Sequence, residues 1–560
     1  MSDAPAAPGR RRPPFLTRPT EGWKPYVLLT LFCAVLFLPG IASLPPLDRD
    51  EARFAQATAQ MLETRDFIDI RFQDQPRHKK PAGIHWLQAA SVSLLSSPEA
   101  REIWAYRVPS VLGAWLAVLF TFAAGASLFG RSAGLIAAGM LAASMLLITE
   151  AHQAKTDAVL LATVAAAQFA LARIYVGGAG LPAAAGFWLA LAAGILVKGP
   201  IAPLVCGLTI AAVAITDKDR SWLRRLGWWW GLPLMAALAL PWFLLVGGKG
   251  EGGFVATAVT TDLIPKLLGA EESHGAPPGT YAALMPLFFW PAALFAPVAL
   301  WRAWRDRAAA PVRFCLAWLI PAWLLFEIVP TKLPHYVLPL YPALALLTAR
   351  ALAMMIEGSA PWPARKAAIG WGGLWCLVLL ALCGAAAYAP LHFGEAPSWR
   401  TALFAAFGLY FAYAMVSIVR RHAAAEAAET SVLAGGFLVM LVLWLSFTRL
   451  DPMWVSRDAA AAVADHYKDG ARPPAAAAGY SEPSLVFLLG TATKLTNGAG
   501  AAAHVKATPG AAAIVEDREL EAFLLALGPQ AVTLREIASP RGLNYSKGKP
   551  VTLHVFVSAR

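Results

Sequence analysis

The sequence predicts a polytopic α-helical membrane protein of about 13 spans, with outer surface helices and a small C-terminal α/β domain. Of its 560 residues, 58% are hydrophobic and only 15% are charged, and the mean hydropathy is +0.54. A soluble protein carries about 25% charged residues. A spanning helix needs roughly 20 apolar residues. The predicted spans are 26–44, 104–128, 133–151, 157–177, 182–197, 200–216, 226–246, 281–301, 312–330, 335–356, 368–390, 401–420 and 431–448.

Basic residues in alternate short loops predict the orientation of these spans. Arginine and lysine concentrate in the N-terminal tail 1–25 and in the loops 217–225 and 302–313. Such residues mark the cytoplasmic side of a membrane. Because the predicted span count is odd, the segment 449–560 falls on the outer side. The predicted domains are the cytoplasmic tail 1–25, the membrane domain 26–448 with its outer loops 45–103 and 247–280, and the outer α/β domain 449–560.

The net charge and the cysteines exclude several classes of protein. The formal net charge of +12 is explained by topology and anionic headgroups. We expect no nucleic-acid partner, because such a protein would need a soluble basic face with interleaved aromatic residues. All five cysteines lie in predicted spans, and no CxxC pair occurs. This pattern predicts buried free thiols.

The two outer regions have different periodicities. In the loop 45–103, Phe54, Thr58, Met61 and Leu62 recur at helical spacing after Asp50. This predicts a helix lying on the membrane surface, capped by Asp48 or Asp50, and a second helix opening at Pro81. In the outer domain, strands at 475–480, 511–515, 532–534 and 551–557 alternate with helices at 456–469, 482–490 and 517–527. Such alternation is typical of an α/β domain.

Three lysines precede prolines that can open a helix on the outer side of the membrane. They occur in Lys80-Pro81, Lys198-Gly199-Pro200 and Lys332-Leu333-Pro334. A helix N-terminus beside a lysine favours phosphate, because free N–H groups and the helix dipole both attract an anion. With Asp50, Glu51 and Asp157 on the same side, the pattern indicates chemistry on a phosphate-linked substrate. The competing interpretation is that lysines at span ends extend to headgroups and that Asp50 and Asp157 only cap helices.

The first outer loop resembles that of a known superfamily. The stretch LPPLDRDEARFAQATAQMLETRDF is followed by a basic segment and KKPAGIHW. It is similar to the GT-C superfamily of membrane glycosyltransferases, which use polyprenyl-phosphate sugars. Within that superfamily it resembles the aminoarabinose transferase branch, related to protein O-mannosyltransferases. Lys79 stands where this branch commonly has Glu. The matching positions are Asp50-Glu51, Arg53, Met61-Leu62, Lys80-Pro81, Lys198-Gly199 and Lys332-Leu333-Pro334-His335-Tyr336.

The resemblance implies an inverting transferase in the bacterial inner membrane, with a periplasmic active site. It would move 4-amino-4-deoxy-L-arabinose from undecaprenyl phosphate to lipid A phosphate, surrounded by membrane lipids and acting as a monomer. Fixed cations would stabilise the negative charge that grows on the leaving phosphate. The catalytic residues implied are Asp50, Arg53 and Lys80. The substrate-binding or phosphate-binding residues implied are Glu51, Lys79, Asp157, Lys198, Lys332, His335 and Tyr336.

The identity of a cofactor, the acceptor and the reaction class stay open at this point. No cofactor is assigned, although a divalent cation between Asp50 and Asp157 would suit phosphate chemistry. An alternative function is a polyprenyl-phosphate sugar transferase with another sugar or a protein hydroxyl acceptor. A second is a transporter or flippase for a lipid-linked sugar, which should show internal repeats and broken helices. The glycine-rich loop 247–280 is predicted to order as a gate when lipid binds.

Overall fold

The computed structural model describes residues 21–77, 79–247, 275–361, 363–393, 396–467, 474–528 and 533–558. The predicted gate at 247–280 falls almost entirely on residues 248–274, which lie outside the described residues. Most of the predicted N-terminal tail lies outside them as well.

Helices make up the predicted membrane domain and its outer loops. They are α1 (Lys24–Phe37), α2 (Asp50–Thr64), α3 (Gly83–Leu95), α4 (Ile103–Phe129), α5 (Arg131–Ala142), α6 (Met145–Ala151), α7 (Asp157–Tyr175), α8 (Leu181–Lys198), α9 (Ile201–Thr216), α10 (Trp222–Arg225), α11 (Trp228–Gly247), α12 (Thr280–Phe288), α13 (Ala296–Arg305), α14 (Ala310–Ile328), α15 (Tyr341–Ile356), α16 (Arg365–His392), α17 (Trp399–Arg420) and α18 (Ala424–Leu441). A 3₁₀ helix, Pro334–Leu340, precedes α15 and continues into it.

The predicted polytopic membrane fold is confirmed. Among the described helices, nine are long and apolar enough to cross a membrane. Two further predicted spans are bent pairs, α5 with α6 at 61° and 280–288 with 292–305 at 120°. The last two, α1 and α9, are apolar but shorter. Each predicted span therefore lies on an apolar helical segment, and the two bends are features that hydropathy alone did not predict.

Glycine lets helices approach closely where the outer ends of the spans meet. A Cβ on Gly113 of α4 would lie 2.7 Å from the backbone nitrogen of Val159 in α7. A Cβ on Gly83 of α3 would lie 2.6 Å from the carbonyl oxygen of Leu196 in α8. Small residues permit this close approach in membrane bundles. The contacts bring the start of α7 and the end of α8 under the first outer loop.

The helix α2, predicted to lie on the membrane surface, is buried by other parts of the protein on most of its sides. Ala55 and Ala59 pack in one apolar cluster with Val92 of α3 and with Phe487 from the C-terminal region. Glu51, Ala52 and every residue from Phe54 to Met61 are buried. Helical periodicity identified one apolar face of α2, but the C-terminal region covers another face through small and polar residues.

The predicted cap of α2, Asp48 or Asp50, is wrong. The residue before the helix is Arg49, and no side chain caps this end. Asp48 turns away instead, and its Oδ1 accepts a hydrogen bond from the backbone N–H of Ser484, 3.0 Å away. The cap prediction used local sequence only, whereas the partner of Asp48 is 436 residues away along the chain.

The C-terminal region contains the predicted mixture of strands and helices. After the hairpin β1 (Arg71–Phe72) and β2 (Gln75–Pro76) of the outer loop, the strands are β3 (Ala476–Ala478), β4 (Lys494–Thr496), β5 (Ala513–Glu516), β6 (Leu534–Ala538), β7 (Arg541–Asn544) and β8 (Lys549–Ser558). The mixed sheet of the C-terminal region has six strands in the order β4-β3-β5-β8-β6, with β7 also paired to β8. The strands β3, β4 and β5 are parallel, and β8 is antiparallel to β5, β6 and β7. The helices are α19 (Val455–His466), α20 (Pro483–Leu489), α21 (Gly498–Ala507) and α22 (Asp517–Leu527).

Two short strands and one helix of this region were not predicted. The strands β4 and β7 have three and four residues, too few for a clear alternation. The helix α21 has the sequence GAGAAAHVKA, in which glycines obscure the helical signal. The domain boundary at residue 449 stays a prediction.

Candidate active site

Charged side chains from four spans, and from the turn between two of them, meet at one end of the bundle. We call Glu150, Lys155, Asp157, Lys198 and His335 the outer cluster. The Lys198 ammonium pairs with Oδ1 of Asp157, and Nζ of Lys155 lies 3.1 Å from Oε1 of Glu150. The His335 ring lies between the two pairs, with Nε2 3.8 Å from Oδ1 of Asp157 and Nδ1 3.9 Å from Oε1 of Glu150. The structure thus brings together Asp157, Lys198 and His335, three of the residues implied for substrate or phosphate binding, and that role stays a prediction.

Tyr336 borders the outer cluster on one side. Nζ of Lys198 lies 5.6 Å from the centroid of the Tyr336 ring, within the range of a cation–π contact. The rings of His335 and Tyr336 are 5.1 Å apart and nearly perpendicular. Both residues are in the 3₁₀ helix Pro334–Leu340, which opens at the proline predicted to start a helix. The Lys198-Gly199-Pro200 sequence likewise leads into α9.

Asp50, the first residue of α2, lies in the electrostatic field of the outer cluster. Its side chain is exposed, but protein surrounds much of the carboxylate, and this desolvation alone would raise its pKa. Lys155, Arg77 and His335 outweigh that effect and hold the pKa of Asp50 below its usual value. Asp50 is therefore ionised at neutral pH.

Lys155 carries a full positive charge for the same reason. It lies in the turn between α6 and α7, where burial alone would lower the pKa of its ammonium. The carboxylates of Glu150, Asp157 and Asp50 outweigh this effect and raise the pKa above its ordinary value. Opposite charges within a few ångströms stabilise the ionised forms of both partners.

Glu51 supports the turn that carries Lys155. Its carboxylate accepts two hydrogen bonds of 2.8 Å from the guanidinium of Arg107 and one of 2.7 Å from the backbone N–H of Ala154. The backbone N–H of Leu47 donates a fourth, 2.8 Å long. Both charged side chains are fully buried. The structure therefore places Glu51 in the support of the site, and its predicted contact with substrate stays a prediction.

Neutral polar groups fix the same turn from the other side. The amide nitrogen of Gln88 donates to the carbonyl of Ala154 at 3.1 Å, and Thr58 donates to Gln88 at 2.7 Å. The hydroxyl of Ser110 donates to the carbonyl of Lys155 at 3.2 Å. Burial, with a smaller effect of Arg77, lowers the pKa of His85 beside Thr58 to about 3. These groups hold the turn without adding charge to it.

The other predicted residues lie in three places. Arg53 is half-buried on α2, one turn after Asp50. Lys79 is exposed and Lys80 half-buried in the segment between β2 and α3. Lys332 is buried, and its Nζ donates to the carbonyl of Val329 at 2.6 Å, next to the end of α14.

Sequence reasoning missed Glu150, Lys155 and Arg77. Glu150 is buried near the end of a predicted span, and an ionisable residue in such a position is a functional candidate by default. Lys155 was hidden in a short turn between two spans. The Arg77 guanidinium lies 4.6 Å from the centroid of the Phe54 ring on α2, and its charge lowers the pKa of Asp50. Its position depends on the β1–β2 hairpin, which the sequence did not reveal.

A metal ion is sterically compatible with part of the outer cluster. Glu150, Asp157 and His335 each offer one ligand atom, and these atoms lie within 4.8 Å of one another. However, each carboxylate already pairs with a lysine ammonium. A divalent ion placed between them would be repelled by both ammonium groups. The donor set thus fits a substrate that carries its own charged groups better than a resident metal, and the predicted cation between Asp50 and Asp157 stays a prediction.

We predict that Arg107→Met destabilises the protein. The change leaves the Glu51 carboxylate buried without its cation, which costs about 3–5 kcal/mol. The measurement is reversible unfolding in detergent, with Arg421→Met as the control. Arg421 forms an exposed ion pair with Glu426, with side-chain exposures of 49% and 36%. Pairs of that kind contribute about 0–1 kcal/mol. Equal losses for the two variants would contradict the supporting role of Arg107.

Comparisons with known proteins identify relatives of this chain. Residues 79–244 match the family model described as dolichyl-phosphate-mannose-protein mannosyltransferase. The undecaprenyl phosphate-alpha-4-amino-4-deoxy-L-arabinose arabinosyl transferase of Pseudomonas aeruginosa is 28% identical over 338 residues, which cover 58% of this chain and 60% of that protein. The chain thus spans about 60% of the length of the first curated relatives it matches.

Solved structures extend the likeness to almost the whole chain. The crystal structure of ArnT from Cupriavidus metallidurans bound to undecaprenyl phosphate matches with a TM-score of 0.73 and 18% identity, covering 95% of this chain and 98% of that one. The archaeal oligosaccharyltransferase AglB from Archaeoglobus fulgidus matches with a TM-score of 0.51 and 12% identity, covering 88% and 69%. The chain is therefore related in sequence to the aminoarabinose transferases and has their fold, that of the GT-C membrane glycosyltransferases.

Proposed function

We propose that this chain is an inverting glycosyltransferase that moves 4-amino-4-deoxy-L-arabinose from undecaprenyl phosphate to a lipid A phosphate. It would work on the periplasmic face of the bacterial inner membrane. The observation that carries the proposal is the outer cluster, in which two lysine–carboxylate pairs lie beside the ionised Asp50. An amino-sugar phosphate carries both signs of charge, and this cluster offers a partner for each.

The cations of the cluster suit the donor phosphate. Lys198 ends α8 at the outer end of the bundle, and Lys155 and Arg77 lie near Asp50. When the bond between sugar and phosphate breaks, negative charge grows on the phosphate oxygens. Fixed cations that strengthen their contact as this charge grows lower the barrier. The Lys198 ammonium would then bind both the Asp157 carboxylate and a phosphate oxygen.

Glu150 suits the amino group of the sugar. One of its carboxylate oxygens pairs with Lys155, while the other, Oε2, is buried and has no hydrogen-bond partner among the described residues. A buried acceptor without a partner is costly, because it has lost its hydration. A sugar ammonium would supply the missing donor. The aminoarabinose branch commonly has Glu at the position of Lys79. Because this chain has a lysine there, Glu150 would supply the carboxylate that binds the sugar ammonium.

Asp50 suits the acceptor. A phosphate monoester is already an anion and needs no strong base, but its second pKa is about 6, so part of the population keeps a proton. An ionised carboxylate accepts a hydrogen bond from that group and orients the attacking oxygen. Lys155 and Arg77 offset the repulsion between Asp50 and an anionic acceptor.

We predict that Asp50→Asn lowers transfer by roughly 10²- to 10³-fold, the loss typical of one removed electrostatic contact in an active site. The assay follows transfer from the undecaprenyl-phosphate donor to lipid A by purified protein in proteoliposomes. The control is Asp74→Asn, an exposed carboxylate in the β1–β2 turn of the same loop, which should keep wild-type transfer. Wild-type turnover by Asp50→Asn would remove its catalytic assignment.

The same assay tests a second function. The match of residues 79–244 to the mannosyltransferase family model favours a transferase with a protein hydroxyl acceptor. In that reaction the hydroxyl must lose its proton, and Asp50 would act as the base. Glycosylation of a serine peptide, with lipid A left unmodified, would establish this function instead. Movement of the donor across the bilayer without any product would support a transporter.

We predict that Glu150→Gln lowers the preference for an amino-sugar donor. The variant keeps the shape of the side chain but not the charge that pairs with an ammonium. Hydrogen bonds to charged groups contribute about 1.5–3 kcal/mol, so we expect the ratio of kcat/KM for the amine donor to that for its neutral N-formyl form to fall at least about tenfold. The control is Glu102→Gln, which changes an exposed carboxylate of the outer loop. An unchanged ratio would rule out Glu150 as the ammonium partner.

A further inference from the structure

The chain enters α2 through a backbone conformation that an L-residue rarely adopts. Arg49 has φ = 66° and ψ = −106° and immediately precedes Asp50. Non-glycine residues avoid positive φ because the side chain meets the backbone. Such a conformation persists only when its surroundings hold it. The direction in which the Asp50 side chain points depends on the backbone conformation of Arg49.

The contacts that hold this conformation come from the C-terminal region. The backbone N–H of Asp48 donates to the hydroxyl of Tyr545 at 2.7 Å. The side chain of Asp48 accepts from the backbone N–H of Ser484 at 3.0 Å. The guanidinium of Arg49 donates to the carbonyl of Ser546 at 2.5 Å. The backbone of Asp48 and the side chains of Asp48 and Arg49 are thus hydrogen-bonded to the C-terminal region, directly before Asp50.

Buried polar groups fix the positions of these partners in turn. The hydroxyl of Ser484 donates to that of Ser456 at 2.7 Å, and Ser456 contacts the hydroxyl of Tyr480 at 2.9 Å. Asn544, next to Tyr545, donates to Oε1 of Glu482 at 2.8 Å. Burial, with a smaller contribution from Glu482, raises the pKa of Asp48 to about 6. Burial disfavours the charged form of the Asp48 carboxyl. We therefore interpret its position as fixed by its hydrogen bonds to the C-terminal region.

We propose that the C-terminal region is a positioning element for the reaction, and that Tyr545 and Asp48 orient Asp50 by fixing the backbone of residues 47–50. The inference rests on the proposed function for its kinetic consequence. Tyr545 and Asp48 are positioning residues, because they act through the backbone and not on the substrate. Without them, Arg49 would relax to negative φ, and the first turn of α2 would shift its carboxylate away from the outer cluster.

The test is Tyr545→Phe, which removes one hydroxyl and leaves the ring. We expect kcat to fall about tenfold, because a displacement of roughly 1 Å at a reacting group can cost up to 10²-fold in rate. The KM for the donor should stay near that of the wild type, since Lys198 and Glu150 are untouched. Hydrogen–deuterium exchange should become faster in peptides covering 45–52 and stay unchanged in α4 and α7.

The matched control is Tyr467→Phe in the same region. The hydroxyl of Tyr467 donates to the carbonyl of Gly510 at 2.6 Å, away from the outer loop. This variant should keep the wild-type kcat and the wild-type exchange at 45–52. A second pair separates geometry from charge at Asp48. Asp48→Asn keeps an oxygen that accepts from Ser484 and should retain most of the activity, whereas Asp48→Ala should lose as much kcat as Tyr545→Phe.

Three results would overturn the inference. They are unchanged exchange at 45–52 in Tyr545→Phe, an equal loss of kcat in Tyr467→Phe, and a rise in KM with kcat unchanged. A wild type that transfers no sugar would refute the proposed function alone. In that case the exchange at 45–52 still decides whether the C-terminal region fixes this segment.

Discussion

The buried ion pair between Glu51 and Arg107 is the interaction on which the outer part of the structure depends. Arg107 also donates to the carbonyls of Ile41, Leu44 and Pro45, so one guanidinium joins α4 to the segment that leads into α2. Glu51 joins the same segment to the turn at Ala154. Asp50 and Lys155 are therefore attached to two ends of one buried network. We therefore expect a change at one end of this network to displace the other end.

The candidate site pairs its charges within the protein. Each carboxylate of the outer cluster has a lysine partner, which lowers the cost of holding charge at the end of a span. The proposed zwitterionic donor would replace these pairs without leaving a net charge, because its phosphate would match the lysines and its ammonium would match the carboxylates. A divalent ion would add charge of one sign. This balance explains why a membrane protein can keep five ionisable groups so close together.

The sequence predicted the bundle well because hydropathy depends only on local composition. The order of the spans also placed Asp157 and Lys198 on one side of the membrane, and the resemblance added His335, but neither predicted that the three side chains would meet. The sequence did not predict the Glu150–Lys155 pair, because Glu150 lay inside an apolar run and Lys155 in an unassigned turn. The sequence could not predict the contact of Asp48 with Ser484, because the two residues are 436 positions apart and no local pattern joins them.

We propose that the outer cluster and Asp50 together transfer aminoarabinose to lipid A. Mass spectrometry of lipid A tests it most directly, in a bacterium that makes the undecaprenyl-phosphate donor but has lost its own transferase. With this chain produced in the inner membrane, the account predicts lipid A that gains the mass of aminoarabinose on its phosphates. Lipid A of unchanged mass, with the protein folded and present in the membrane, would contradict the account.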